Sequence, residues 1–470
     1  MWIERENPAR PGEIVGSVPV TEPAAVAAVV RGAHESFREW SRRPMAERLT
    51  VLGEAADVIA SRVPELAPLL ARESGKPVTD CRGEIGFAVT YLRWVCAKVS
   101  AVLAGSMFDD DLGRLDLVAR PYGVVAAITP WNAPIILSML KVAPALAAGN
   151  TVVLKPSPLA PLTVSAVAAL LPGTTVVHGG PDTVLALVEH ESVRKIAFTG
   201  GEAAGRGIAA AAGRALTPIL LELGGNDPAI FLDDFALTDA DYERLVLASF
   251  ATAGQVCMAA KRLYVPRARC DEFVHSYRAA AARILHVGDP TSEEVTMGPV
   301  VTRGAADRVS GLLADAARRG GQLIPLASAP EGDGYFLTPT LVLGLCDDAD
   351  LVRLEQFGPA LPVLTYDSED EVLARANDGE LGLGASVWSA DEDRAFAVAA
   401  RVEAGFTFVN THNRTGMSLR APFGGIKGSG FGREYAEEGL REYAQTVVRH
   451  APAAFRRGGA GAAANAYPAG

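Results

Sequence analysis

The sequence predicts an α/β fold with a doubly wound, mainly parallel sheet. Three features predict it: short apolar runs that read as strands buried on both faces, helical-period stretches between them, and glycine or proline punctuation at the junctions. Strands alternating with helices require right-handed crossovers, which layer helices over a parallel sheet. The chain has 470 residues, 49% hydrophobic and 21% charged. That length can bury more than one core, and the composition excludes global disorder.

Residues 22–72 read as two amphipathic helices separated by a proline break, and 79–105 as a third, long helix. The texture changes at residue 114, where RLDLVARPYGVVAAITP alternates and then becomes a continuous apolar run ended by Pro130. Helices over 135–148, 162–171, 182–190 and 202–213 then lead in turn to strands over 151–157, 174–180, 195–200 and 217–225. A second α/β region follows, with helix 239–254, strand 261–266, helices 270–285 and 301–320, and strands in FLTPTLVLG, LPVLTY, ASVW and FTFVN. The tail, 457–470, is low-complexity and expected to be disordered. Its G-x-G-x-x-A at Gly459–Ala464 follows no strand and is not read as a dinucleotide fingerprint.

Lys and Arg number 44 against 55 Asp and Glu, a net charge of −11. A general polyanion binder needs clustered cations, so no nucleic-acid partner is expected. The five cysteines, Cys81, Cys96, Cys257, Cys270 and Cys346, are odd in number and widely spaced. They form no disulfide framework, which fits a reduced, cytoplasmic setting. Neither C-x-x-C nor H-E-x-x-H occurs, so no metal site is expected. The polar N-terminus carries no secretory h-region, and no uninterrupted apolar run reaches ~18 residues, so no membrane partner is expected.

Ligands of open α/β sheets bind at the carboxyl ends of the strands. Four polar clusters fall there: Thr129-Pro130-Trp131-Asn132, Lys155-Pro156-Ser157, Thr199-Gly200-Gly201 and Glu222-Leu223-Gly224-Gly225. Gly200 and Gly201 stand between a strand and a helix, where backbone N–H groups and the helix N-terminus favour a phosphate; an ordinary βα turn has the same composition. Lys155 reads as a ligand for ribose or phosphate, or as a solvated strand-end lysine. Cys257, in ATAGQVCMAAKR, reads as an activated nucleophile or as a small buried hydrophobe. Glu222 in LLELGG is either ion-paired or raised in pKa, and a raised carboxylate suits a general base. Asn132 reads as an oxyanion donor or as a helix N-cap.

Together these residues resemble the aldehyde dehydrogenase superfamily. The likeness rests on ITPWNAP, LKPS, FTGG, LELGGNDP, GQVC, EQFGP and PFGGIKGSGFGRE, in the family's order, and runs from residue 7 to about Val448. The resemblance implies a small-molecule aldehyde as substrate and NAD, with NADP possible, as cofactor. It implies Cys257 as nucleophile, Asn132 and the Cys257 N–H as oxyanion donors, and Glu222 as the base that hydrolyses a thioester. Lys155 would contact the adenosine ribose; Glu355 and Phe357 would position the nicotinamide ribose and ring. Lys141 and Glu434 match positions implicated in proton movement. Ile128, Thr129, Pro130, Trp131, Ser157, Pro158, Thr199, Gly200, Gly201 and Leu223 would complete the cofactor site.

The resemblance also implies a Rossmann-type cofactor domain (1–103 and 122–224), an α/β catalytic domain (225–428) and a small oligomerisation element (104–121 and 429–456). The last would pair a hairpin near 104–121 with a strand near 444–450 in a homodimer or homotetramer. The sequence departs from the family around the adenosine site. Pro158 replaces the glutamate that many NAD-preferring members carry, Gly201 replaces a serine, and the helix after Pro158 is short. Ala133, Leu137, Leu140, Val256, Met258 and Phe423 are expected to line an apolar substrate pocket suited to a hydrophobic or aromatic aldehyde. His412 and Arg414 are expected on a solvated loop. Competing readings are a coenzyme A-acylating relative, which would have no use for Glu222, a cysteine hydrolase, which needs a histidine beside Cys257, and a silent scaffold.

Overall fold

The structure is a computed structural model that describes residues 1–455, the side chains of Arg414 and Ala454 excepted. The expected tail, with its G-x-G-x-x-A, lies outside the described residues.

The first sheet has six strands in the order Gly430–Phe431, Ile219–Glu222, Val193–Thr199, Val124–Ile128, Thr151–Lys155, Thr174–Val176. All neighbours run parallel except the edge strand Gly430–Phe431. The chain winds outward from Val124–Ile128 in one direction, then returns to build the other side. The switch point therefore lies between Val124–Ile128 and Val193–Thr199, and a crevice opens there at the carboxyl ends. The strands Val124–Ile128 and Thr151–Lys155 are buried throughout, as continuous apolar runs require in a parallel sheet.

The second sheet has seven strands in the order Gln322–Pro325, Thr340–Leu343, Ala360–Tyr366, Arg262–Pro266, Pro228–Phe231, Gly384–Trp388, Phe406–Val409, parallel apart from the first. A third, three-stranded antiparallel sheet joins Ser106–Asp110, Gly113–Pro121 and Ala444–Pro452.

Several elements differ from the sequence expectation. The segment 22–72 forms three helices, Pro23–Trp40, Met45–Ser61 and Val63–Ser74, because Pro64 opens a new first turn. A hairpin of Trp2–Asn7 and Arg10–Pro19 precedes them. The helix expected over 239–254 ends at Phe250, where the chain turns left-handed at Thr252 and Ala253. Residues 429–443 pack with the first sheet: Gly430–Phe431 is its edge strand, and only from Ala444 does the chain enter the three-stranded sheet. Helix Val78–Val102 is long and apolar enough to cross a bilayer by length and composition. It packs along the helices Met45–Ser61, Val63–Ser74 and Pro134–Ala148, burying Cys81, Ile85, Ala88, Leu92 and Val95 in their shared core.

Candidate active site

A cleft of about 1790 Å³ runs from the switch point of the first sheet to the amino ends of strands in the second. Ile128, Thr129, Pro130, Trp131, Asn132, Lys155, Ser157, Pro158, Thr199, Gly200, Gly201, Leu223, Glu355, Phe357, Leu137 and Cys257 all line it. The volume exceeds that of a typical drug-sized pocket, ~300–1,000 Å³, and suits an extended ligand.

At one end the helix Glu202–Ala215 starts at Gly201, whose position is not capped by a side chain. A Cβ on Gly201 would meet nothing within 4 Å, so the helix N-terminus opens onto the cleft. Its N–H groups and dipole favour an anionic group there. Lys155 ends its strand 6% exposed, and burial alone lowers its ammonium to about 8. His178, bonded to Ser165 at 3.2 Å, is lowered to about 4 by burial and by the Lys155 charge. The neutral imidazole of His178 stands near the Lys155 cation, which lines the cleft and fits an anionic dinucleotide.

At the other end the loop 355–358 is held rigidly. Arg308 donates to the carbonyls of Gln356 and Glu355 at 2.8 and 2.6 Å, and Gln356 donates to Lys261 and Ala360. Phe357 adopts φ of +45° and packs edge-on against Trp131, ring centroids 5.7 Å apart. This strained backbone lies on the cleft wall, where the surrounding structure over-determines it.

Cys257 sits in a turn. Gln255 pins that turn, accepting from Val301 N–H and donating to Thr252, while Asn132 Nδ2 donates to the Gln255 carbonyl at 3.0 Å. An Asn side-chain amide has two N–H donors, so one remains for a ligand. Burial pushes the Cys257 thiol up to about 12; Lys261 opposes that, and Glu355, Asp227 and Glu222 add to it. His178 and His412, the two buried histidines, are bonded to Ser165 and Ser386.

Glu222 is buried and does not line the cleft. Burial, then the nearby Glu434, push its carboxyl well above the usual carboxylate range; Lys141 and Arg433 oppose them. Lys141 and Glu434 are themselves an ion pair at 2.6 Å, with Lys141 also donating to Thr199 Oγ1 at 2.6 Å. Neither residue lines the cleft.

Ala133, Leu140, Val256, Met258 and Phe423 are likewise outside the cleft lining, and Leu140 and Phe423 are core residues. Ala133, Leu137, Met258, Phe406, Met417 and Leu419 are part-buried and pack on the same core as Cys257. His412 is not solvated: it is buried and bonded to Ser386 at 2.7 Å. The side chain of Arg414 lies outside the described residues. Sequence reasoning missed Lys261, Arg308 and Gln356. The signal available for Lys261 was its place in AAKRLYV, where a lysine runs directly into a buried strand.

The aldehyde dehydrogenase family model matches residues 1–448. The NADP(+)-dependent succinate-semialdehyde dehydrogenase GabD of Escherichia coli is 34% identical, over 94% of this chain and 92% of that protein. The 4-trimethylaminobutyraldehyde dehydrogenase of Bos taurus is 34% identical, over 92% of this chain and 90% of that protein. The crystal structure of an NAD-dependent aldehyde dehydrogenase from Sinorhizobium meliloti superposes with a TM-score of 0.92 at 32% identity, covering 96% of this chain and 92% of that one.

Proposed function

The chain belongs to the aldehyde dehydrogenase family and oxidises an aldehyde to a carboxylic acid with NAD(P); from that premise we propose which residues carry the reaction. Cys257 attacks the aldehyde carbon through its thiolate, giving a thiohemiacetal whose oxyanion is held by the free Asn132 amide N–H and the Cys257 backbone N–H. When bound, NAD(P) supplies the acceptor for the two electrons that leave with the aldehyde hydrogen. The resulting acyl group stays on Cys257 as a thioester. Glu222 then takes a proton from water, whose oxygen attacks the acyl carbon; the acid departs and the thiol is restored. Burial raises the Glu222 carboxyl, which makes its carboxylate form a stronger base. Glu222 also favours water over coenzyme A as the acyl acceptor.

Lys155 and the open N–H groups at Gly201 would hold the adenosine ribose and phosphates, and Glu355 and Phe357 the nicotinamide end. Pro158 lines the cleft and brings no carboxylate of its own to repel a 2′-phosphate, so NAD is the cofactor with NADP also admitted at this position. The substrate is a hydrophobic or aromatic aldehyde: Leu137 lines the cleft with Cys257, and Ala133, Met258, Phe406, Met417 and Leu419 are among the part-buried side chains on the core against which Cys257 packs. The protein forms a homo-oligomer in the cytoplasm, through the three-stranded sheet. That sheet exposes Met107, Phe108 and Val448, with Leu112 at its turn; its free cysteines suit a reducing compartment.

The observation that carries this reading is that a single cleft is lined by Cys257, Asn132 and Glu355 together with Lys155 and Gly201. A panel of aldehydes run with NAD and NADP tests it, followed by absorbance of the reduced nicotinamide. Benzaldehyde-type and medium-chain aldehydes are expected to give higher kcat/KM than succinate semialdehyde or 4-trimethylaminobutyraldehyde; the reverse order overturns the substrate assignment.

A further inference from the structure

Lys261 immediately precedes the strand Arg262–Pro266, is 2% exposed, and does not line the cleft. Its ammonium donates to the Val256 carbonyl at 2.7 Å and to the Cys257 carbonyl in a closer contact, and it stands 3.3 Å from Glu355 Oε1. The ammonium thus donates to two backbone carbonyls and forms an ion pair with Glu355. The Glu355 oxygen that meets Lys261 also accepts from the Gly225 N–H at 3.2 Å. Gly225 allows that approach, since a Cβ there would lie 2.6 Å from the Cys257 carbonyl oxygen. Two separate loops, 255–260 and 354–359, are thereby tied through one buried cation.

We propose that Lys261 is the positioning residue of the Cys257 loop: its ammonium grips the carbonyls of Val256 and Cys257 from beneath, ties them to Glu355 on the cleft wall, and keeps a positive charge beside the sulfur. Buried cations are costly unless paired and hydrogen-bonded, and here two carbonyls and one carboxylate compensate the charge. A flexible apolar side chain would fill the same space without orienting either carbonyl.

The charged and titratable groups around this cation come from every neighbouring element. Asp227, before strand Pro228–Phe231, is pushed up to about 7 by burial and pulled down by Lys261. His412, after strand Phe406–Val409, is lowered to about 3 by burial first and Lys261 second, so it is neutral. Glu222 and Glu355 bear on the thiol from the first sheet and the cleft wall. Arg262 bears on Asp227, and Tyr435 faces Cys257. Among the groups named for the thiol, Lys261 alone favours the thiolate, while the three carboxylates oppose it.

The inference rests on Cys257 being the nucleophile, and its test separates the two. Cofactor-free enzyme is treated with iodoacetamide at fixed pH values between 8 and 10, and the modified peptide is identified by mass. Below its midpoint a thiol reacts in proportion to its thiolate fraction, so a one-unit rise slows alkylation tenfold. Lys261→Met and Lys261→Gln are expected to slow labelling of Cys257 by on the order of tenfold at every pH. They are also expected to lower kcat/KM by about 10²-fold through misplacement of the reacting atoms. Lys261→Arg, which keeps the charge, is expected to recover most of the labelling rate. Should Lys261→Met not fold, the Gln and Arg variants carry the comparison. Labelling of Cys257 at the parent rate in Lys261→Gln overturns the inference, whatever the activity. Full turnover in Cys257→Ala overturns the underlying assignment instead.

Discussion

Lys141 and Glu434 are 293 residues apart in sequence and 2.6 Å apart in the fold. Both are almost wholly excluded from water. Both bear on the buried Glu222, Glu434 raising its carboxyl and Lys141 and Arg433 lowering it. Like charges at such range cannot both ionise freely, and the carboxyl without a direct ion pair, Glu222, is the one driven toward its protonated form.

Removing Lys141 therefore has two readable consequences. Lys141→Met leaves Glu434 buried without its cation, which costs about 3–5 kcal/mol and lowers the urea midpoint. It also takes away the positive charge that holds the Glu222 carboxyl down. The base form then requires a higher pH, and the acidic limb of the steady-state pH profile moves alkaline. The double variant Lys141→Met/Glu434→Leu is expected to lose less stability than Lys141→Met, because no lone charge is left behind.

Glu222→Gln keeps the shape of the site and removes its base. A burst of about one reduced nicotinamide per subunit is expected to survive, while steady-state turnover falls about 10²–10⁴-fold. Stopped-flow absorbance reads both phases in one trace. A parent-like steady state would remove Glu222 from the mechanism.

The adenosine end titrates through Lys155. Its ammonium is lowered to about 8, so it is charged below that pH and neutral above it. Binding of an anionic cofactor to the free enzyme is expected to weaken as pH rises through about 8, and that dependence is expected to vanish in Lys155→Met. Fluorescence titration of the cofactor against pH checks it. Pro158→Glu places a carboxylate at the same end and is expected to weaken NADP more than NAD, through repulsion of the additional phosphate.

Phe108 and Val448 lie on the two outer strands of the three-stranded sheet, and both are exposed. Phe108→Asp with Val448→Asp puts charge on both edges. Light scattering is expected to show a monomer with unchanged far-ultraviolet circular dichroism. An oligomer of parent mass would move the interface elsewhere.

The first sheet was legible in the sequence because its strands are buried on both faces and read as short, uninterrupted apolar runs, as in VVAAI and TVVLK. The rule that ligands sit at the carboxyl ends of strands found Asn132, Lys155 and Gly201. It could not find the other wall. Cys257 and Glu355, which line it, precede strands of the second sheet. Lys261 left only a weak signal, a lysine running into a buried strand, because its partners are two backbone carbonyls and a carboxylate far along the chain. The turn at Thr252 and Ala253 was read as helix, since neither residue advertises a left-handed backbone as glycine does. His412 was placed in solvent because polar sequence around it, THNRTG, resembles a loop; its burial comes from Ser386 on a strand 26 residues earlier.

The most direct test of the central claim is a rapid-quench experiment on Glu222→Gln with NAD and a reactive aldehyde, digested and read by mass. One acyl group on the Cys257 peptide, matched to one reduced nicotinamide per subunit, is the result predicted. Reduced nicotinamide formed with that peptide unmodified, or an acyl group on another residue, would contradict it.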